Sequence, residues 1–276
     1  MDVTEDLQNI VDEIASTEIG ENAEQNKIEE PTDKLPENSP TILLDETHSR
    51  FSSAIWAEKV KETSVLLAGL GGIGSYVAFL LSRCNIKCLT VIDPDTVDAT
   101  NLSGQLYSQR YVGEFKTSAI SRIIGDFSNF YRYHSVNERY GSEVNKIMIC
   151  GFDNMKARKQ FYYNWKEHAS NYLNPENLLF IDGRLASESF QVFCITGDAK
   201  YLMKKYEEKW LFDDKDAEQT ICSNKQTSYC ANMIGSVITN LFINFITNQC
   251  SPLIRRELPF LTTYEADTML FKTERI

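Results

Sequence analysis

The chain has 276 residues, 42% of them hydrophobic, and a formal net charge of −11 at pH 7; that length holds one large domain or two small ones. The charge is lopsided, with fourteen Asp and Glu against two Lys in residues 1–48 and a nearly balanced remainder, which excludes a chain-wide basic footprint for nucleic acid. The seven cysteines include no C-x-x-C pair, which argues against a four-cysteine structural zinc and suits a reducing cytosol.

Residues 1–40 are rich in Glu, Asn, Asp, Thr and Pro and poor in aromatics. Such a segment cannot bury enough surface to offset its ordering entropy, so a disordered acidic tail is expected. Leu7, Ile10, Val11 and Ile14 share one helical face within Asp2–Ala15, which leaves a partner-docking helix as the alternative. Residues 41–276 read as one domain. Ile42, Leu43 and Leu44 form a short strand or anchor, and Arg50, Phe51, Ile55 and Trp56 suggest a helix. No basic-plus-apolar leader is present.

Ser64 to Asp93 organises the rest of the chain. Val65–Ala68 is a continuous apolar run, as a parallel strand buried on both faces requires. Gly69, Gly71, Gly72 and Gly74 come next, then a helix carrying Tyr76, Val77, Phe79, Leu80 and Leu81, then the apolar run Leu89–Ile92 ending at Asp93. This is a βαβ unit with a glycine-rich first turn. Backbone amides and the helix N-terminus can approach a phosphate there, and an acid at the end of the second strand can bond a ribose hydroxyl.

Residues 93–116 are polar and include Asn101, Gln105, Arg110 and Lys116. Loops at the carboxyl ends of parallel strands bind ligands in α/β folds. Lys116 opens a helix over 117–125, and a lysine at a helix start opposes the macrodipole unless an anion is near. Lys146–Cys150 is a third strand, with Asp153 and Asn154 at its mouth and Arg158 in the next helix. Leu178–Ile181 is a fourth strand, followed by Asp182, Gly183 and Arg184; Gln191–Thr196 is a fifth. Residues 200–220 suggest a helix and a mobile loop. The run 227–249 is a helix apolar nearly all round, hence buried in a core or at a subunit interface. Its most apolar part, Met233–Ile246, is interrupted by Asn240 and Asn244 and is too short and polar to span a bilayer. The tail, with Pro252 and Pro259, is expected to end in a short strand or an extension. A cytoplasmic chain with no membrane or nucleic-acid partner is the expectation.

In order, GLGGIG, DPDTVDATNLSGQ, Lys116 and FDNMKAR resemble the ThiF/MoeB/HesA adenylyltransferases, whose superfamily includes the ubiquitin-activating enzymes. The match runs from about Arg50 to Gln191. It implies a Rossmann-like, doubly wound and mostly parallel sheet in a single ThiF-type domain. It also implies ATP- and Mg²⁺-dependent adenylation of the C-terminal carboxylate of a small ubiquitin-like or sulfur-carrier protein, by a homodimer or heterodimer. On this resemblance Asp93 binds the ribose, Asn101 and Gln105 sit in the phosphate loop, and Lys116 neutralises the phosphates. Asp153 is the Mg²⁺-associated aspartate, Asn154 follows it, and Arg158 completes the last motif. Cys222, just before the long helix, is a candidate thioester nucleophile, with a small structural residue as the alternative reading.

Two positions depart from the family pattern. Gly104 stands where N-L-x-R-Q carries its arginine, and Ser53 stands at the second arginine of R-[YF]-x-R-Q. Arg110 or Arg50 could substitute. The departures also leave open a catalytically degenerate scaffold subunit. An NAD-dependent dehydrogenase uses a similar turn, but Gly72, Lys116 and the Asp153–Asn154 pair have no role in hydride transfer.

Overall fold

The computed structural model describes residues 47–128, 130–213 and 226–274. In chain order these form helix α1 (Ala57–Lys61), β1 (Ser64–Ala68), α2 (Gly72–Arg83), β2 (Cys88–Ile92), α3 (Lys116–Ser128), β3 (Tyr133–Val136) and β4 (Ile147–Cys150). Then come α4 (Met155–Ser170), β5 (Leu179–Ala186), β6 (Ser189–Thr196), α5 (Lys200–Trp210), α6 (Ser228–Cys250), β7 (Leu261–Glu265) and β8 (Leu270–Glu274).

The strands make one sheet in the order β3-β2-β1-β4-β5-β6-β7-β8. The first five are parallel, and β6, β7 and β8 extend the sheet antiparallel. This is the expected Rossmann-like, doubly wound α/β fold. Its continuous apolar runs have a direct cause: successive side chains of a strand face opposite ways, so a strand covered on both faces must be apolar throughout. Val65 and Leu67 enter a core built with Val77, Ile120 and Ile238 from α2, α3 and α6. Leu66 and Ala68 enter a second core, with Phe161 and Trp165 of α4 and Tyr206 of α5. That second core is strongly aromatic; the Tyr162 ring lies 4.9 Å from Tyr206 and 5.2 Å from Phe180.

Helix α6 packs along α2, β5 and β6. A Cβ on Gly235 would lie 2.9 Å from the Tyr76 Cβ, so the two helices cross with little space between them. Ile234, Ile238, Leu241, Phe242, Phe245 and Ile246 are all buried. The apolar circumference of α6 is thus accounted for within the chain. The helix agrees with the 227–249 run to within one residue at each end; it is longer than the Met233–Ile246 part read as too short for a bilayer, and by length and composition it could cross a membrane. It is nonetheless a core helix here, with 67% of its most apolar window buried inside the molecule.

Three local differences from expectation have physical causes. Residues 50–56 are not a helix: a 3-10 turn spans Ser49–Phe51, and α1 begins only at Ala57. The Ser52 hydroxyl donates to the Ser49 carbonyl at 2.8 Å, a local bond that competes with helical pairing, and Phe51 stacks on Trp56 at 5.1 Å. Strand β3 lacks an apolar run because it is an edge, with His134 and Ser135 exposed, and is defined by its backbone pairing to β2. The carboxyl-terminal region forms a hairpin of β7 and β8 rather than one strand; only β7 contributes buried residues such as Leu261 and Tyr264. The acidic tail, the Ile42–Leu44 segment and Cys222 lie outside the described residues.

Candidate functional site

From β1 the chain builds outward to β2 and β3, then returns to place β4 on the other side of β1. A cavity of about 750 Å³ opens at the carboxyl ends of the strands around this reversal, where open α/β sheets bind ligands. Gly69, Gly71 and Gly72 lie on its wall. Gly69 has φ of +87°, and a Cβ there would fall 2.6 Å from the Gly151 carbonyl oxygen. Gly74 is not on the wall. Its missing side chain lets α2 sit against the loop, since a Cβ would collide with the Gly69 carbonyl.

The loop is fixed from both sides of Leu70. Its N–H donates to Asp93 Oδ2 at 2.6 Å, and its carbonyl accepts from the Tyr107 hydroxyl at 2.8 Å. Asp93 Oδ1 accepts the Asp95 N–H at 2.8 Å. Asp93 is 5% exposed, and burial raises its pKa even though Lys116 and two backbone amides oppose the shift. Asp93 therefore holds the turn. Of the two, Asp95 is the more open to the cavity, 64% exposed at its side chain, and its Oδ2 accepts from Lys116 Nζ at 2.9 Å. Asp95 is the anion that relieves the misplaced charge at the start of α3.

Asp153 and Asn154 stand on the opposite wall. Asn154 caps α4, its Oδ1 accepting from the Ala157 N–H at 2.8 Å, and its Nδ2 donates to Asp153 Oδ1 at 3.2 Å. Asp153 is exposed. One exposed carboxylate beside a phosphate site is the donor set that Mg²⁺ ordinarily uses, with nucleotide phosphates and water completing its shell. Among the described residues no cluster of three His, Cys, Asp or Glu could hold a metal by itself.

Arg158 is buried and ion-pairs with Asp182, while also donating to the Gly183 carbonyl at 3.3 Å and to the Phe152 carbonyl. Arg184 completes the cluster, its Nε donating to Asp182 Oδ2 at 2.8 Å. Both arginines reach the cavity wall.

The cavity thus brings together Gly69, Gly71, Gly72, Asp93, Gln105, Lys116, Asp153, Asn154 and Arg158. Asn101 is placed elsewhere; its Oδ1 accepts the Asp98 N–H at 3.0 Å in a capping box. The suggested substitutes for the family arginines are also off the wall. Arg110 is ion-paired with Asp126 at 2.6 Å, and Arg50 is exposed on the Ser49–Phe51 turn. Among the described residues, the cations that do line the cavity are Lys116, Arg139, Lys156, Arg158 and Arg184. Gln226 fills the space beside Gly104, where a Cβ would lie 2.7 Å from its carbonyl oxygen, and its side-chain amide lies over Gly72. Neither Asp95 nor Gln226 is a candidate on sequence grounds; of the two, only Asp95 carries a signal there, as an acid in the first loop after a parallel strand.

A model of the ThiF family matches residues 47–275. Ubiquitin-like modifier-activating enzyme 5 of Dictyostelium discoideum is 32% identical over 101 residues, 37% of this chain and 25% of that protein. Adenylyltransferase and sulfurtransferase UBA4 of Candida albicans is 39% identical over 103 residues, 37% of this chain and 23% of that protein. The chain thus spans about a quarter of the length of these curated relatives. Among solved structures, PaaA superposes with a TM-score of 0.65 at 16% identity, over 99% of this chain and 82% of that one. Escherichia coli MccB, solved with MccA-N7isoASN, superposes with a TM-score of 0.60 at 15% identity, over 80% and 66%. At such identities these likenesses concern the fold. With its glycine loop, lysine and Asp-Asn pair on one cavity and a family match across the described domain, the chain belongs to the ThiF family.

Proposed function

We propose that this chain activates a carboxylate by ATP-dependent adenylation, the acceptor being the C-terminus of a small ubiquitin-like protein, sulfur carrier or peptide. The observation that carries the reading is the convergence of the glycine loop, Lys116 and Asp153 on one cavity at the sheet's reversal point. The named activities of the UBA4 and modifier-activating relatives support it, as do the MccB structures with ATP and with a form of MccA.

Under this reading the α2 N-terminus and loop amides hold the phosphates, and the ribose lies against Asp95 and the turn that Asp93 secures. Lys116 neutralises charge as the two anions approach, which is where positioning and electrostatics lower the barrier. Mg²⁺ at Asp153 would add charge neutralisation. No general base is needed, because the attacking carboxylate is ionised at neutral pH. A homodimer or heterodimer belongs to the reading, and light scattering measures it. So does Cys222 as a thioester acceptor, tested by a reductant-sensitive adduct that Cys222→Ser abolishes.

ATP–pyrophosphate exchange with a carrier ending in Gly-Gly tests the chemistry. Lys116→Ala and Asp153→Ala should each depress exchange by about 2–3 kcal/mol in barrier while leaving the fold intact. Unchanged exchange in either variant removes that residue from the mechanism. Gln226 over Gly72, with glycine at position 104, favours a second reading, a nucleotide-binding scaffold without turnover. ATP-induced stabilisation without exchange for any carrier would select it.

A further inference from the structure

We propose that Arg184, held by Asp182, binds the reacting carboxylate of the acceptor substrate at the β5 end of the cavity; the assignment rests on the adenylation reading. Arg158 and Arg184 both ion-pair with Asp182, whose side chain is 0% exposed. Guanidinium groups stay charged at any working pH, so among the described residues the cluster carries one positive charge in excess. The two titratable side chains that bond to it among the described residues do not cancel that charge. Cys150, 3.7 Å from Arg158 Nη1, and Tyr206, which donates to Asp182 Oδ2 at 2.7 Å, are both kept neutral by burial. An excess charge in a buried cluster is costly unless an anion meets it.

Arg184 is the member able to receive that anion. Its Nε is used by Asp182, and its Nη2 by the Tyr206 hydroxyl at 3.3 Å and the Trp210 carbonyl at 2.9 Å. Its Nη1 has no acceptor among the described residues. The guanidinium lies 4.7 Å from the Phe193 ring centroid and 5.8 Å from that of Phe212, which fixes its plane. The side chain is 14% exposed, on the cavity wall. The acids that line the cavity among the described residues have different partners: Asp93 bonds Leu70 and Asp95, Asp95 bonds Lys116, and Asp153 bonds Asn154.

Sheet order identifies the anion. Across the carboxyl edge come β2 with Asp95, β1 with the glycine loop, β4 with Asp153, then β5 with Arg184. At about 4.8 Å per strand, β5 ends roughly 14 Å from β2. A nucleotide with its ribose at β2 and its α-phosphate between β1 and β4 leaves β5 to the group that attacks it. In the step itself a carboxylate oxygen bonds the α-phosphorus, the α–β phosphoanhydride breaks and pyrophosphate leaves with the electron pair; no proton moves.

The test is site-resolved modification of the full chain by phenylglyoxal, read by peptide mass spectrometry, with glycylglycine as the probe carboxylate and glycylglycinamide as the carboxyl-blocked control. Glycylglycine is expected to slow modification of Arg184 by about fivefold or more, whereas glycylglycinamide and ATP·Mg²⁺ alone leave the rate unchanged. Protection by ATP·Mg²⁺ alone would reassign Arg184 to the phosphates, and absence of glycylglycine protection would leave it structural; either result overturns the proposal. Arg184→Lys keeps a cation beside Asp182 and should retain the ATP-induced rise in Tm; loss of that rise in a variant with parental circular dichroism also overturns it. The adenylation reading fails separately, when glycylglycine protects Arg184 but ATP neither raises Tm nor exchanges pyrophosphate.

Discussion

Asp93 and Asp95 lie two positions apart on the same loop, and their surroundings divide their roles. Asp93 is buried and accepts two backbone N–H groups, so Asp93→Ala strands both donors and should cost about 1–3 kcal/mol of stability. Asp95→Asn, at an exposed residue, leaves an oxygen for the buried Lys116, so stability should change by less than about 1 kcal/mol while ATP affinity falls. Denaturant unfolding and nucleotide titration of both variants check this; equal stability losses would refute the division. The pH dependence has a defined sign. Burial raises the folded pKa of Asp93 above its ordinary 3.8. Its contribution is therefore complete below that value and shrinks as pH rises through the folded pKa. The stability gap between the parent and Asp93→Ala should be widest in acid and narrow toward neutrality.

At the scale of elements, the α2–α6 contact holds one face of the molecule together. Gly235 packs with no space for a methyl group, its Cβ position being 2.9 Å from Tyr76 Cβ. Gly235→Ala must push α6 away from α2, and overpacking of this kind costs about 1–3 kcal/mol. The gain in helix propensity from Gly to Ala, about 1 kcal/mol, offsets part of that cost. A lower unfolding midpoint is expected, and a higher one would show that the helices can separate freely. The same contact explains why an all-round apolar helix can be satisfied inside a single chain: α2 lies along it, β5 and β6 lie beneath it, and its exposed positions are polar or aromatic, such as Tyr229, Asn232 and Asn240.

For the whole molecule, ligand linkage is the accessible measurement. A nucleotide at about 100 times its Kd stabilises the folded state by about 2.7 kcal/mol. For a domain of this size that corresponds to a rise in Tm of roughly 5–11 °C. ATP with Mg²⁺ should produce it and NAD should not; the reverse order would restore the dehydrogenase reading. The sheet itself supports this expectation, because its carboxyl edge presents a lysine–aspartate pair, a glycine loop and an exposed carboxylate in sequence across β2, β1 and β4.

The residues of β1, β2 and β4 and of helices α2, α3 and α6 are readable from the chain alone. Burial on both faces of a strand, or around a helix, forces apolar patterns that local sequence must carry. The glycine turn is readable because few other residues tolerate a positive φ and such close backbone approach. Where an edge strand such as β3 relies on backbone pairing, the sequence holds no comparable pattern. The assembly of the site is a matter for tertiary structure. Lys116 meets Asp95 across 21 positions, Arg158 and Arg184 meet at Asp182, and Gln226 occupies the space left by Gly104. Apart from Arg184 and Asp182, two positions apart on β5, these partners are distant along the chain, and the crossovers that follow β2 and that return β4 and β5 to the sheet bring their side chains within bonding distance. The motifs carried the resemblance to the family; the packing of those crossovers decided which acid pairs with Lys116 and which cations line the cavity.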